Sequence, residues 1–200
     1  MSWSQITSQI WVGGEINNDT DTDDKNPRDP SIAQAMLNQI KPTAIIDCRS
    51  EYDDFNMLEL AGFNPVKDKN YKWDGVDDWR APAAVGLQSL PLKFFYDGLD
   101  FWLPMHPEKN KRVYVHCTQG INRSATLTYA FLLAEGYAEA RAIEMLNAHR
   151  VVTLWNTLFD CPWRSEAEEA LKKTRLDAKS LRNVDAAGGC RVGGSGHQNP

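Results

Sequence analysis

The 200-residue chain is long enough for one domain, with 42% apolar residues to build a core. Its net charge of −5 argues against generic nucleic-acid binding, which rests on neutralising phosphates with Lys and Arg. No apolar run approaches the roughly 18 residues of a membrane span, and the first residues, Met-Ser-Trp-Ser-Gln, lack the basic and apolar regions of a signal peptide, so a cytoplasmic protein is expected. Four scattered cysteines, Cys48, Cys117, Cys161 and Cys190, show neither zinc spacing nor a disulfide framework, and no metal or other cofactor is expected.

In chain order, Ile10 to Gly14 precedes an acidic loop over residues 17–30, where Asp19, Asp21, Asp23, Asp24 and Asp29 crowd between Asn and Pro. The alternating aspartates imitate the start of a calcium loop, but the required Gly and the later Glu are missing, and the segment reads as a solvated loop. Ser31 to Ile40 is predicted helical, with Ser31 as N-cap and an apolar face of Ile32, Ala35, Met36 and Ile40. Lys41-Pro42 ends it and leads into a core strand, Ala44 to Asp47, followed by Cys48. The segment Tyr71 to Pro82 reads as a loop with three aspartates, Asp74, Asp77 and Asp78, set among aromatics. Leu92 to Met105 carries Phe94, Phe95, Leu99, Phe101, Trp102 and Leu103 at helical spacing, as a packing face.

Arg112 to Val115 reads as a buried strand and Ser124 to Glu135 as an apolar helix. Between them runs His116-Cys117-Thr118-Gln119-Gly120-Ile121-Asn122-Arg123-Ser124. A turn at a helix N-terminus frees successive backbone N–H groups that can cradle phosphate oxygens, here those of Thr118, Gln119, Gly120, Ile121 and Asn122. Arg123 adds a planar fork for the same oxygens, and the positive surroundings favour the thiolate form of Cys117, the nucleophilic form. Further on, Ser165 to Glu168 matches a capping box for a last helix reaching Lys173, and the glycine-rich stretch from about Asp185 reads as a flexible tail. Residues 1–175 are therefore expected to form one domain and 176–200 a C-terminal extension. Strands alternating with helices indicate an α/β fold, a central sheet flanked by helices on both faces.

The run HCTQGINRS resembles the His-Cys-x5-Arg-Ser/Thr loop of the cysteine-dependent protein tyrosine phosphatase superfamily, and the chain's size is similar to that of its compact dual-specificity branch. Ile10 to Gly14, Ala44 to Asp47 and Ala125 to Arg150 resemble further parts of that branch, so that roughly residues 8–173 are covered. The resemblance implies the branch's fold, with a mixed central sheet, and phosphomonoester hydrolysis through a phosphocysteine on Cys117. It gives His116 a supporting role outside the cradle. Ser124 stands where the family uses a hydroxyl to assist departure of the thiolate, though a residue there is also placed to cap the helix. The family's proton donor comes from a separate acid loop; residues 81–90 look like an insertion that lengthens the separation from Cys117, and Asp77 is preferred, then Asp78, then Asp74, because an acid followed by one residue and a turn toward Pro82 resembles the Trp-Pro-Asp type of loop. Cys48 is placed like the back-door cysteine with which some relatives protect an oxidised nucleophile, and also reads as an ordinary buried thiol.

The uncharged residues Thr118, Gln119, Ile121 and Asn122 disfavour highly charged inositol phosphates. Phosphotyrosyl or dual-specificity protein substrates are the expectation. Asn122 before the arginine is also similar to RNA 5′-triphosphatase relatives, which leaves an RNA or nucleotide 5′-polyphosphate as the alternative. A catalytically weak phospho-binding module is a third reading, against which the intact Cys117 and Arg123 argue.

Overall fold

The computed structural model describes residues 3–16, 29–76, 92–149, 169 and 171–172. The described residues include five strands: β1 (Trp3–Gln5), β2 (Ile10–Gly13), β3 (Ala44–Arg49), β4 (Tyr71–Val76) and β5 (Val113–His116). They form one sheet in the order β1-β2-β5-β3-β4. The β1–β2 pair is antiparallel and every other pairing is parallel, so the sheet is mixed, with β5 at its centre. Parallel strands need crossovers, which carry α1 (Ser31–Ile40), α2 (Phe55–Leu60) and α3 (Leu92–Trp102), while α4 (Arg123–Ala134) and α5 (Glu139–His149) follow β5.

Strand alternation divides the core into two layers. On one face Ile45, Tyr71 and Tyr114 pack against Ala33, Met36 and Ile40 of α1 and Met57 and Leu58 of α2. On the other, Ala44, Ile46, Val113 and Val115 meet the larger layer built from α3, α4 and α5. Every residue of β3 and β5 is buried, as expected of strands covered on both faces. Arg123 through Leu133 of α4 are all buried as well. Two threonines survive there because their hydroxyls donate back one turn, Thr126 Oγ1 to Asn122 O at 2.8 Å and Thr128 Oγ1 to Ser124 O at 2.8 Å. Close approach of α3 to α4 depends on Gly98, where an added Cβ would press into the Leu127 side chain at 2.6 Å.

The expected α/β fold and the boundaries of α1, α3 and α4 agree with the structure to within a few residues. Four details differ. Ser31 is the first residue of α1, not its cap: the Asp29 carboxylate accepts hydrogen bonds from Ser31 N and Ser31 Oγ, both at 2.9 Å, and so satisfies the free N–H at the helix start. Ala35 is exposed, and Ala33 takes the inward place beside Met36 and Ile40, at spacings of three and four. Tyr71 to Val76 is an edge strand where a loop was expected; the pairs Ile45–Tyr71, Ile46–Lys72 and Asp47–Trp73 along β3 outweigh the turn propensity of Asp74-Gly75. β1 and α2 were not anticipated: β1 is too short for a periodic signal, and α2 follows the polar run Arg49 to Asp54. The loop over 17–28, the insertion at 81–90, Arg150, the capping box at Ser165 and the tail lie outside the described residues.

Candidate active site

The loop after β5 sits at the carboxyl end of the central strand and runs straight into α4. Its start is fastened to β2: Cys117 N donates to Gly13 O at 3.4 Å, and Glu15 N donates to Thr118 O at 3.1 Å. Gly120, at φ +71°, makes the left-handed turn that reverses the chain toward the helix. The turn aims the Gly120 N–H at Cys117 Sγ, 3.2 Å away, and Ser124 Oγ–H donates to the same sulfur at 3.3 Å. Two donors thus converge on Sγ. Ser124 lies one residue inside α4 while Asn122 occupies the cap position, so its hydroxyl serves the sulfur and not the helix end.

Arg123 is fully buried and its guanidinium is held on several sides. Nη1 donates to Glu51 Oε2 at 2.7 Å and Val76 O at 2.8 Å; Nη2 donates to Glu51 Oε1 at 3.1 Å and Thr118 Oγ1 at 2.9 Å. Glu51 therefore grips the Nη1–Nη2 edge of the fork through both oxygens. Burial pushes the Glu51 carboxyl upward, but the Arg123 hydrogen bonds outweigh it and the net shift is downward. Sequence reading did not single out Glu51; an acidic residue just past the core strand at Arg49 was its only signal.

Beneath the loop lies a buried ionic cluster. His116, fully buried and stacked on Tyr114, places Nδ1 3.8 Å from Asp47 Oδ1 and Nε2 3.7 Å from Asp54 Oδ2. Arg49 joins the two carboxylates: Nε reaches Asp47 Oδ1 at 3.1 Å, Nη2 reaches Asp47 Oδ2 at 3.1 Å, and Nη2 also pairs with Asp54. Burial pushes both aspartates up and pushes His116 down to about 3, which keeps the imidazole neutral at physiological pH. Asp47, Asp54 and His116 are close enough together to hold a metal ion, but the Arg49 guanidinium already occupies both carboxylates and would repel a cation. The donor set does not fit a metal.

Cys48 and Cys117 are both free and buried. The register pairs Asp47 with His116, and Cys48 and Cys117 directly follow these two residues. Burial pushes the Cys48 thiol well up, and the nearby Cys117 adds to that. Of the acid candidates, Asp77 and Asp78 lie outside the described residues. Asp74 is described, and it belongs to β4, two strands from β5, with its carboxyl pushed up to about 7 by burial first and the charge of Asp97 second.

A strand, a cysteine loop and a helix with this geometry agree with the comparison to protein families, in which the dual specificity phosphatase catalytic domain matches residues 28–160. The chain belongs to this family. As a dual-specificity phosphatase it is a phosphatase of the cysteine-dependent superfamily. Solved structures share the fold at low identity. PTPMT1 superposes with a TM-score of 0.60 at 17% identity over 90% of this chain and 99% of its own, and has also been solved in complex with PI(5)P. The PTP-2 phosphatase of Cydia pomonella gives 0.52 at 19% identity, over 86% of this chain and 89% of its own. The catalytic core of the PP-IP phosphatase SIW14 from S. cerevisiae, in complex with citrate, gives 0.51 at 13% identity, over 88% of this chain and 92% of its own. Among the described residues of this dual-specificity phosphatase, no helix is long and apolar enough to cross a membrane.

Proposed function

We propose that this dual-specificity phosphatase hydrolyses phosphoprotein monoesters, phosphotyrosine foremost, through a phosphocysteine on Cys117. The observation that carries the reading is the pair of donors, Gly120 N–H and Ser124 Oγ–H, on the Cys117 sulfur beside an arginine braced by Glu51. Cys117 Sγ attacks phosphorus in line with the ester oxygen, and the P–O bond to the leaving group breaks. The Arg123 fork and the N–H groups of the loop hold the other three oxygens as charge moves across them. Asp77, or Asp78 beside it, gives its proton to the leaving oxygen. Water then attacks the phosphocysteine, its proton returns to that aspartate, and Sγ leaves as a thiolate that the Ser124 hydroxyl stabilises. His116 supports the loop from below.

Protein substrates are favoured over polyanions by charge. Thr118, Gln119, Ile121 and Asn122 bring no side-chain cation to the loop, and Glu51, its side chain 42% exposed, sets a negative charge beside the arginine. Cys48 serves as a redox partner. If peroxide converts Cys117 to a sulfenic acid, condensation with the Cys48 thiol forms a disulfide and releases water.

The test begins with metal-free hydrolysis of p-nitrophenyl phosphate by wild type and Cys117→Ser. Activity that survives the substitution rules out the nucleophile. Phosphotyrosyl and phosphothreonyl peptides are then compared with 5′-triphosphorylated RNA, PI(5)P and an inositol pyrophosphate. Faster turnover of any of the last three than of both peptides would reject the phosphoprotein reading. Asp77→Ala and Asp78→Ala identify the acid, since one of them must slow ester hydrolysis.

A further inference from the structure

A cavity of about 450 Å³ opens between the end of β4 and the start of α3, walled by Trp73, Asp74, Val76, Lys93, Phe94 and Asp97. That volume lies in the range of ligand pockets, about 300–1,000 Å³. Two features tie it to the phosphate site. Val76 lines the cavity and its carbonyl accepts from Arg123 Nη1 at 2.8 Å; Ser50, which also lines it, directly precedes Glu51.

Among the described residues that line it, the cavity lacks one chemical component. Asp74 is only 8% exposed, and among the described residues its Oδ2 has no hydrogen-bond partner. A buried carboxylate oxygen without a donor costs free energy until a donor arrives. The nearby charges do not supply one: Lys72 is hydrogen-bonded to Asp68 at 2.8 Å, Lys93 is paired with Asp97, and Asp97 adds a second negative charge across the space. Trp73, 47% exposed, adds aromatic surface to the lining. A buried carboxylate oxygen without a donor, beside a second carboxylate, matches a cation with several N–H donors, which is a guanidinium more than a compact ammonium.

We infer that the cavity between β4 and α3 is a subsite for a guanidinium group, taking an arginine side chain of the substrate near its phosphorylated residue. The inference rests on the phosphoprotein reading. Strand β4 lies two positions from β5, about 10 Å at the usual strand spacing. An extended peptide covers that distance in about three residues. Asp74 attracts the cation only when it is ionised. With its carboxyl near 7, and with Asp97, Lys72 and Lys93 as the charges that act on it, guanidinium affinity rises with pH through neutrality.

Two measurements test this. In the first, n-butylguanidinium is titrated into the whole protein while the Asp74 carboxyl carbon is followed by NMR across pH. The expected result is saturable binding that lowers the Asp74 midpoint by about one unit, through a neighbouring positive charge, and is lost in Asp74→Asn. Absence of saturation, or equal binding by Asp74→Asn, overturns the inference. In the second, kcat/KM is measured at pH 8 for two phosphotyrosyl peptides that differ only in arginine or its neutral isostere citrulline, three residues after the phosphotyrosine. Wild type should favour arginine about tenfold, the equivalent of 1.4 kcal/mol, and Asp74→Asn or Asp97→Asn should bring the ratio near one. A ratio of one in wild type overturns the inference. If neither peptide is hydrolysed while p-nitrophenyl phosphate is, and butylguanidinium still binds, then the phosphoprotein reading fails and the assignment to an arginine side chain fails with it.

Discussion

Replacing Glu51 with glutamine isolates the brace on Arg123 without emptying the space. Glu51 accepts two charge-assisted hydrogen bonds from the guanidinium, at 2.7 Å from Nη1 and 3.1 Å from Nη2, and Nη2 donates to Thr118 Oγ1 as well. Glutamine keeps one carbonyl oxygen and replaces the other with an NH2 that faces guanidinium N–H groups, so one hydrogen bond becomes a repulsion. Hydrogen bonds to charged groups contribute about 1.5–3 kcal/mol when buried. The Glu51 side chain is 42% exposed, and solvent screening reduces the loss to about 1–2 kcal/mol. Val76 O and Thr118 Oγ1 still hold Arg123, so the arginine loses orientation but is not ejected. The loss falls on the transition state, where the fork must match three oxygens, and kcat/KM should drop about 5- to 30-fold. Steady-state kinetics on p-nitrophenyl phosphate, with inorganic phosphate as a competitive inhibitor, measure it: kcat should fall and phosphate should bind more weakly. A kcat/KM within twofold of wild type, or tighter phosphate binding, would refute the brace and show that Glu51 competes with substrate for the arginine.

Ser124→Ala removes a hydrogen bond to the sulfur that matters most when the thiolate leaves, so dephosphorylation should slow about 10- to 100-fold while the first step persists. Rapid-quench kinetics should show a burst of product and accumulation of phosphocysteine; loss of the burst would contradict this. Arg49→Met leaves Asp47 and Asp54 buried without their cation, which should destabilise the fold by about 3–5 kcal/mol in urea unfolding; a change below about 1 kcal/mol would mean that the cluster does not depend on Arg49. Asp74 has its folded-state pKa raised to about 7 from an ordinary 3.8, so it contributes stability that is complete below pH 3.8 and is lost as pH rises through 7. The full difference amounts to about 4 kcal/mol. Wild type measured against Asp74→Asn over pH 4–8 should therefore show the variant gaining relative stability as pH rises, and parallel curves would refute the burial of this carboxyl.

Local sequence determined the parts of this protein whose chemistry is contiguous. Residues 116–124 carry nucleophile, turn, arginine and hydroxyl within nine positions, so a strand entering and a helix leaving are enough to bring Gly120 N–H and Ser124 Oγ to the sulfur. The apolar runs of β3, β5 and α4 were readable for the same reason, since burial on all sides leaves a continuous signal. Tertiary structure alone decided what the sheet order brings together from far apart. Glu51 and the Val76 carbonyl reach Arg123 across 72 and 47 residues, because β3 and β4 lie in order beside β5. Asp74 became a buried strand residue facing a cavity, although its Asp-Gly neighbourhood reads as a turn, because pairing with β3 overrode local propensity. The ionic support under His116 has the same origin: Asp47, Arg49 and Asp54 look like ordinary polar residues in the chain, and only the parallel register of β3 with β5 turns them into the floor of the phosphate loop.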